Sequence, residues 1–487
     1  MTHSLFLYDY ETTGTHPQKD RPLQFAGVRT DLDFNIIDDP ISIYCKLSLD
    51  ILPHPQACLL TGITPQKANE QGECEANFMR IIHKELSQPR TCTLGYNSIR
   101  FDDEITRHSF YRNFFDAYER EWQHGNSRWD LLDVFRAAHA LRPYGINWVY
   151  DDNGMAIFKL DQLTAANGIL HANAHDALAD VYATLALAKT LKNAQPRLFN
   201  FFFEHRSKAQ ALKLLNVGSG IPLVHISGMY PATKHCLAIV LPLCAHPTNA
   251  NEIVVYDLSV EPSALLTLNA DEIQQRLFVA TQDLPENVSR IALKTVHINK
   301  CPVLAPLSVL TPIEIERLKL NLDICHAHAT QIIAAGDLTQ KLHSVFGQSP
   351  KNVSALLNVD LGLYNGGFFS SVDKQAMIKI RNAPPEQLAT LSVRYEDARF
   401  DEMLFRYRAR NYPRTLTTVE WEKWREFCLA QLLGAASDAN ITLHDYLHII
   451  KNTLPQDEKQ HVMIQALRDY ARDKLRQLDV DSDTFLI

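Results

Sequence analysis

The stretch FLYDYETTG, residues 6–14, constrains the fold more than any other part of the chain. An apolar run from Leu5 to Tyr8 reads as a buried strand, and it leads directly into Asp9 and Glu11. Side chains along a strand alternate, so residues i and i+2 share a face, roughly 7 Å apart. Whatever sheet this strand joins must hold two like charges side by side at its end. Each raises the other's pKa unless something positive sits between them, and a divalent metal commonly fills that role. Acids at a strand end can also simply mark its exit to water, and Thr12-Thr13-Gly14 reads as a turn. A lone Asp-x-Glu does not decide between the two.

Two further acids do. Asn97-Ser98-Ile99-Arg100-Phe101-Asp102 lies where a short strand, Thr91 to Tyr96, gives way to a helix expected from Ile99 to Phe115. Asn97 reads as the N-cap, which places Asp102 in the second turn. His175 and Asp180 are five apart, about 140° around an unbroken helix, so they cannot share a face. A helix that starts at about Asp176 removes the conflict: Asp176 becomes its N-cap, and His175 sits on the preceding loop within reach of the site. The chain then offers four carboxylates, Asp9, Glu11, Asp102 and Asp180, with one loop histidine. That set suits a two-metal phosphoryl site. Mg²⁺ prefers oxygen ligands and keeps positions open for water and phosphate, and two ions about 4 Å apart hold attacking and leaving oxygens in line. A histidine is suited to take the proton of the attacking water near neutral pH.

The 487 residues suggest about three domains. Residues 1–195 read as strands followed by helices, a mixed α/β domain with further strands at Phe25–Thr30 and Ile41–Leu47 and a helix at Ala177–Leu191. Residues 196–350 open with a helix, Pro196 to Leu215. Short β runs follow at Leu223–Ile226, Leu237–Leu243, Ile253–Leu258 and Ile291–Ile298, as in a small barrel or sandwich, and then a helical stretch from Pro312 to Phe346. Residues 351–487 carry helical periodicity, clearest at Trp421–Leu433, Leu443–Asn452 and Glu458–Leu478. Nine cysteines without a C-x-x-C pair indicate neither a zinc ribbon nor a disulfide framework. No secretory signal or membrane span is expected, so a cytoplasmic protein without a membrane partner is predicted.

These motifs resemble those of the DEDDh exonucleases, which act from the 3′ end. RPLQFAGVRTD, TGITPQ, GYNSIRFDDE, NSRWDLLDV, ANAHDALADVYAT, VHINKCPVLA and FRYRARNYP further resemble bacterial exonuclease I, from residue 5 into the C-terminal region. The resemblance implies an α/β fold: a ribonuclease H-like exonuclease domain with a mixed sheet, an SH3-like β-barrel domain and an α-helical C-terminal domain, forming a C-shaped clamp on single-stranded DNA. It implies Mg²⁺-dependent release of deoxynucleoside 5′-monophosphates in DNA repair and recombination, with two ions for which Mn²⁺ can substitute. Asp9, Glu11, Asp102 and Asp180 are the implied metal ligands, Glu11 also meets the terminal nucleotide, and His175 is the general base. Asp103 neighbours Asp102, but the spacing from Asn97 favours Asp102 as the ligand. Strand contacts are implied at Arg107, Tyr118, Trp122 and Arg136. Lys159 stands where the family has an arginine, keeping the charge without the bidentate fork. The resemblance further implies docking of the C-terminal tail of single-strand DNA-binding protein, and a monomer.

The net charge of −8 does not by itself advertise a nucleic-acid binder, so basic groups must be pooled locally. From Arg100 to Arg136, arginines (100, 107, 112, 120, 128, 136) interleave with aromatics (Phe110, Tyr111, Phe114, Phe115, Tyr118, Trp122, Trp129), a pattern suited to phosphate contact and base stacking; Phe110, Phe114 and Phe115 read as core. Arg406, Arg408 and Arg410 form a second cluster, read equally as a strand-facing patch or a solvated helix end. The same acids would serve an exoribonuclease or a proofreading-type exonuclease, since sugar choice depends on contacts at the 2′ position. A non-cleaving single-strand clamp is the alternative from another class, and loss of one or more acids would mark it.

Overall fold

In a computed structural model the chain is described over residues 3–171, 175–286, 288–347, 358–434 and 439–481. Residues 172–174 of the His175 motif and the expected 350–351 domain boundary lie outside the described residues. The chain divides into two compact units. Met1–Ser127, His171–Leu185 and Val353–Ile487 form one; Arg128–Leu170 and Ala186–Asn352 form the other.

The first unit is built on four strands of a mixed sheet, β1 (Ser4–Thr12), β2 (Pro22–Thr30), β3 (Ile41–Tyr44) and β4 (Thr91–Gly95), in the order β3-β2-β1-β4. β5 (Ser127–Asp130), of which only Ser127 falls in this unit, follows in chain order. β1 is central, antiparallel to β2 and parallel to β4, and all its residues but Asp9 are buried. Its even-numbered side chains, Phe6, Tyr8 and Tyr10, join Phe25 of β2, Phe78 and Ile82 of the helix Glu75–Leu86, and Ile105 and Phe110 of the helix Asp102–Arg112 in one apolar cluster. Each such side chain contributes about 1.5–3 kcal/mol on burial. That cluster fixes which face β1 turns inward, and hence which face carries Asp9 and Glu11.

The C-terminal helices belong to the same unit. Trp424, Tyr446, Leu467 and Leu475 pack with Leu23, Leu52 and Cys58 from the N-terminal region. Met377, Ile380, Phe400 and Tyr407 pack with Tyr111 and Phe114. The expected helices appear as Thr418–Leu432, Leu443–Asn452 and Glu458–Gln477.

The second unit holds a small antiparallel pair, β6 (Val149–Tyr150) with β7 (Ala156–Ile157), and a five-stranded antiparallel sheet. That sheet comprises β8 (Leu223–Ile226), β9 (Leu237–Ala245), β10 (Glu252–Asp257), β11 (Leu293–His297) and β12 (Val303–Pro306), in the order β11-β10-β9-β8-β12. β12 has no counterpart in the sequence expectation. It is four residues ending in proline, too short to show alternation, and its antiparallel pairing with β8, from Val303 opposite Ile226 to Pro306 opposite Leu223, makes it a strand. The expected helix Pro196–Leu215 is two helices, Pro196–Glu204 and Lys208–Leu215, because Ser207 caps the second by accepting from the Gln210 N–H at 3.3 Å. The stretch from Pro312 likewise forms three helices, Pro312–Arg317, Leu322–Ala334 and Thr339–Gly347.

Candidate active site

β4 accompanies β1 only as far as Leu7, paired with Leu94, while β2 continues on the other side and pairs Asp9 with Ala26 and Glu11 with Gln24. The Tyr10 backbone N–H, past the end of the β4 ladder, donates instead to Asp102 Oδ1 at 3.2 Å. The sheet thus brings the second acidic motif to the first.

Asp102 does so from a position the sequence misplaced. The helix begins at Asp102 itself, with Phe101 at the N-cap and no side-chain cap bond. Asn97 is not the cap. It adopts φ +66° in the preceding turn, a left-handed conformation that asparagine tolerates better than most residues, and the Phe101 and Asp103 N–H groups donate to Ser98 O at 3.3 and 2.9 Å. Asp102 therefore sits in the first turn, where the helix dipole favours an anion.

Asp180 comes from the first turn of the helix Ala177–Ala194. Asp176 caps it as expected, its Oδ1 accepting from the Ala179 N–H at 3.1 Å. Gln24 ties this helix start to the sheet, donating to Asp176 Oδ2 at 3.3 Å and accepting from the Ala177 N–H at 3.5 Å. Because Gln24 pairs with Glu11, the tie delivers Asp180 to the acidic end of β1. His175 occupies the turn before the helix with φ +69°, a strained backbone of the kind that gathers at functional sites.

Among the described residues, carboxylate oxygens of Asp9, Glu11 and Asp180 lie within 4.8 Å of one another. Burial, followed by the charges of Asp102, Glu11 and Asp180, pushes the Asp9 carboxyl well above its usual range. Burial, then Asp180 and Asp102, pushes Glu11 up to about 9. Asp180 is raised by burial, and a hydrogen bond from His171 Nε2 at 2.5 Å, with a backbone bond from His175, opposes the rise. Three acids that cannot all ionise side by side form an all-oxygen set that a hard divalent cation would complete. Asp102 stands beside this trio, near enough to raise both Asp9 and Glu11.

The expected strand contacts fare differently. Trp122 is 64% exposed. Tyr118 is half-buried, edge-on to the exposed ring of Phe368 at 5.7 Å and over the Arg107 guanidinium at 5.4 Å. Arg107 is buried and held by Glu121 at 2.7 and 2.9 Å and by Glu104 at 2.7 Å. Arg136 bonds Asp133, and Lys159 is exposed; both lie in the second unit. The arginine track is largely interior: Arg112 pairs with Glu75 at 2.9 Å and Arg120 with Asp103. Arg406, Arg408 and Arg410 are not a solvated or strand-facing patch either. All are paired with acids, Asp360, Glu402, Glu420 and Asp50 among them. A helix that packs on both sides needs partners for its charges inside the fold. Sequence reasoning missed His171, Gln24 and Phe368. Nothing in spacing alone signals a histidine nine residues before its carboxylate across a loop.

An exonuclease family model matches residues 6–188, an exonuclease I SH3-like domain model residues 206–348, and an exonuclease I C-terminal domain model residues 357–474. The chain is 49% identical to exodeoxyribonuclease I of Haemophilus influenzae over 90% of its length and 93% of that protein. It is 45% identical to exodeoxyribonuclease I of Escherichia coli over 96% of this chain and 98% of that one. The E. coli exonuclease I structure in complex with a dA16 oligonucleotide superposes with a TM-score of 0.92 at 44% identity, covering 97% of this chain and all of that one. A zinc-bound form of the E. coli enzyme with single-stranded DNA gives 0.90 at 44% identity, over 98% and 100%. A crystal structure of SSB/exonuclease I in complex with the inhibitor CFAM gives 0.87 at 42% identity, over 97% and 100%.

Proposed function

The chain belongs to the exonuclease I family, and from that premise we propose that it degrades single-stranded DNA from the 3′ end to deoxynucleoside 5′-monophosphates, with His175 as general base and Asp9, Glu11, Asp102 and Asp180 as the ligands of two Mg²⁺ ions. It is a hydrolase, an exodeoxyribonuclease of the type I class. The observation that carries the mechanism is the convergence of Asp9, Glu11 and Asp180 within 4.8 Å, where burial and the surrounding acids raise the pKa values of the first two. Hard oxygen donors fit Mg²⁺, and Mn²⁺ can take its place. When bound, the ions supply stabilisation of charge on the attacked phosphate and the leaving 3′ oxygen.

The chain's own groups do the rest. His175, on its strained turn, accepts the proton of the attacking water. Glu11 meets the terminal nucleotide. Trp122 and Tyr118 stack bases without reading them, and Arg107 acts by steadying the Tyr118 ring, its charge being already balanced by Glu104 and Glu121. Arg136 and Lys159 meet phosphates, Lys159 as a point charge rather than a fork. The domain division is 1–195, 196–350 and 351–487. The protein acts as a monomer in the cytoplasm, in repair and recombination, and takes the tail of single-strand DNA-binding protein as partner. Free thiols at all nine cysteines support a reducing compartment; among the described residues no helix is long and apolar enough to cross a membrane.

The test is a 5′-labelled single-stranded DNA, and its RNA counterpart, incubated with the full chain and Mg²⁺. Stepwise shortening of the DNA from the unlabelled end, with the RNA intact, is expected. Intact DNA in both Mg²⁺ and Mn²⁺ overturns the nuclease reading; equal loss of RNA overturns the sugar preference.

A further inference from the structure

The sequence carries two adjacent acids at the second motif, and only Asp102 belongs to the expected metal set. Asp103 is 1% exposed and points the other way. Its Oδ1 accepts the Tyr8 hydroxyl at 2.6 Å and a guanidinium N–H of Arg120, itself 2% exposed. Tyr8 stands in one strand that frames the site, and Arg120, in the short helical turn Glu119–Glu121, is bonded to another. Tyr8 stands on β1, one residue before Asp9, wedged edge-on to Tyr10 at 6.1 Å and against Phe25 at 5.9 Å. Arg120 donates a second N–H to Thr93 Oγ1 of β4 at 3.2 Å. Its own carbonyl accepts from the Asn126 side chain, whose Oδ1 takes the Thr91 N–H. A second tyrosine repeats the pattern one helical turn on, where Thr106 Oγ1 donates to the Tyr10 hydroxyl at 3.1 Å.

We infer that Asp103 is a positioning residue for Asp102: gripped by Tyr8 and Arg120, it fixes the rotation of the first helical turn so that Asp102 presents its carboxylate to the acidic end of β1. The inference rests on the proposed metal site. Physically, β1 holds the helix with tyrosines from its core face while its opposite face carries Asp9 and Glu11. An apolar pair would fill the space of a buried ion pair at lower cost; what it would lack is directional bonding, which sets an adjacent ligand to within a fraction of an ångström. Neutralisation by Arg120 also keeps Asp103 from adding a further negative charge to the crowded acids.

The test uses the full chain and reads Mn²⁺ binding by electron paramagnetic resonance without DNA, beside hydrolysis of a single strand. Tyr8→Phe removes only the hydroxyl, and Asp103→Asn keeps the side-chain size. Mn²⁺ affinity is expected to fall about tenfold or more in Asp103→Asn and by a smaller factor in Tyr8→Phe, within the range that outer-sphere partners of a metal site command. kcat should fall in parallel, KM for the strand should stay unchanged, and Arg120→Lys should recover part of what Arg120→Gln loses. Should Asp103→Asn fail to fold, Tyr8→Phe decides. Unchanged Mn²⁺ affinity in folded Tyr8→Phe overturns the inference, as does a loss of stability in every variant with metal binding intact. A parent chain that binds Mn²⁺ but hydrolyses nothing refutes the nuclease reading alone.

Discussion

Two buried charge clusters in the first unit make opposite use of the same residue type. At the end of β1, Asp9 and Glu11 face other acids, and their pKa values rise. Under the helix Phe400–Asn411, Asp50 and Asp360 face arginines. Arg410 bonds Asp50 at 2.9 Å and Asp360 at 2.5 and 2.8 Å, and Arg406 adds a contact to Asp360 at 2.9 Å. Burial alone would raise these acids too; the guanidinium charges outweigh it, holding Asp50 down to about 2 and Asp360 well below the usual carboxylate range. Depth of burial does not separate a functional acid from a structural one. Among the described residues the surrounding charge does: acids around Asp9 and Glu11, guanidinium groups around Asp50 and Asp360. The boundary can be one residue wide, since Asp103 is compensated by Arg120 and its neighbour Asp102 raises Asp9.

The sharpest way to break this comparison is to neutralise one acid in each cluster. Asp9→Asn is expected to lower hydrolysis at least about 10³-fold, with strand binding still measurable by fluorescence anisotropy and the metal-free thermal midpoint unchanged or higher, because a repulsion has been removed. Asp180→Ala should behave alike; activity retained in both rejects the site. Asp360→Asn should do the reverse: it strands buried arginine charge and costs about 3–5 kcal/mol in denaturant unfolding, with turnover per folded molecule near that of the parent. Equal effects of Asp9→Asn and Asp360→Asn on both readouts would erase the distinction.

The pH dependence sharpens it. Glu11 is raised from 4.5 to about 9, so the folded chain binds more protons than the unfolded one between those values. Stability in EDTA should fall as pH rises through that window, and saturating Mg²⁺ should flatten the fall by replacing the protons. Asp50 has the opposite sign. Its contribution is present above an unfolded pKa near 3.8 and is lost as pH drops toward 2. Thermal melts at several pH values, with and without Mg²⁺, check both. The smallest effect belongs to an exposed site outside either cluster: Trp122→Ala should raise KM for a single strand about fivefold, consistent with one lost stacking contact, and leave stability and Mn²⁺ affinity untouched.

Much of the site was legible in the order of residues. The i, i+2 alternation that aligns Asp9 with Glu11, and the 100° step that forces a helix to begin at Asp176, are local geometry and hold in any fold that keeps those elements. The register of Asp102 was not legible, because Asn97 looks like a cap and only the turn's left-handed backbone shows that it is none. The roles of the arginines escaped for a related reason. A sequence shows a guanidinium but not the carboxylate opposite, and Glu75, Asp103, Asp360 and Glu420 reach Arg112, Arg120, Arg410 and Arg408 from 12 to 50 positions away.

By itself, then, the sequence determined the strand with its paired acids, the helix start capped by Asp176 and the types of donor available for a cation, the first two being consequences of backbone periodicity. Tertiary structure alone decided which charges are balanced. The energy of a buried charge depends on what lies within a few ångströms of it, and that neighbourhood is assembled from distant parts of the chain.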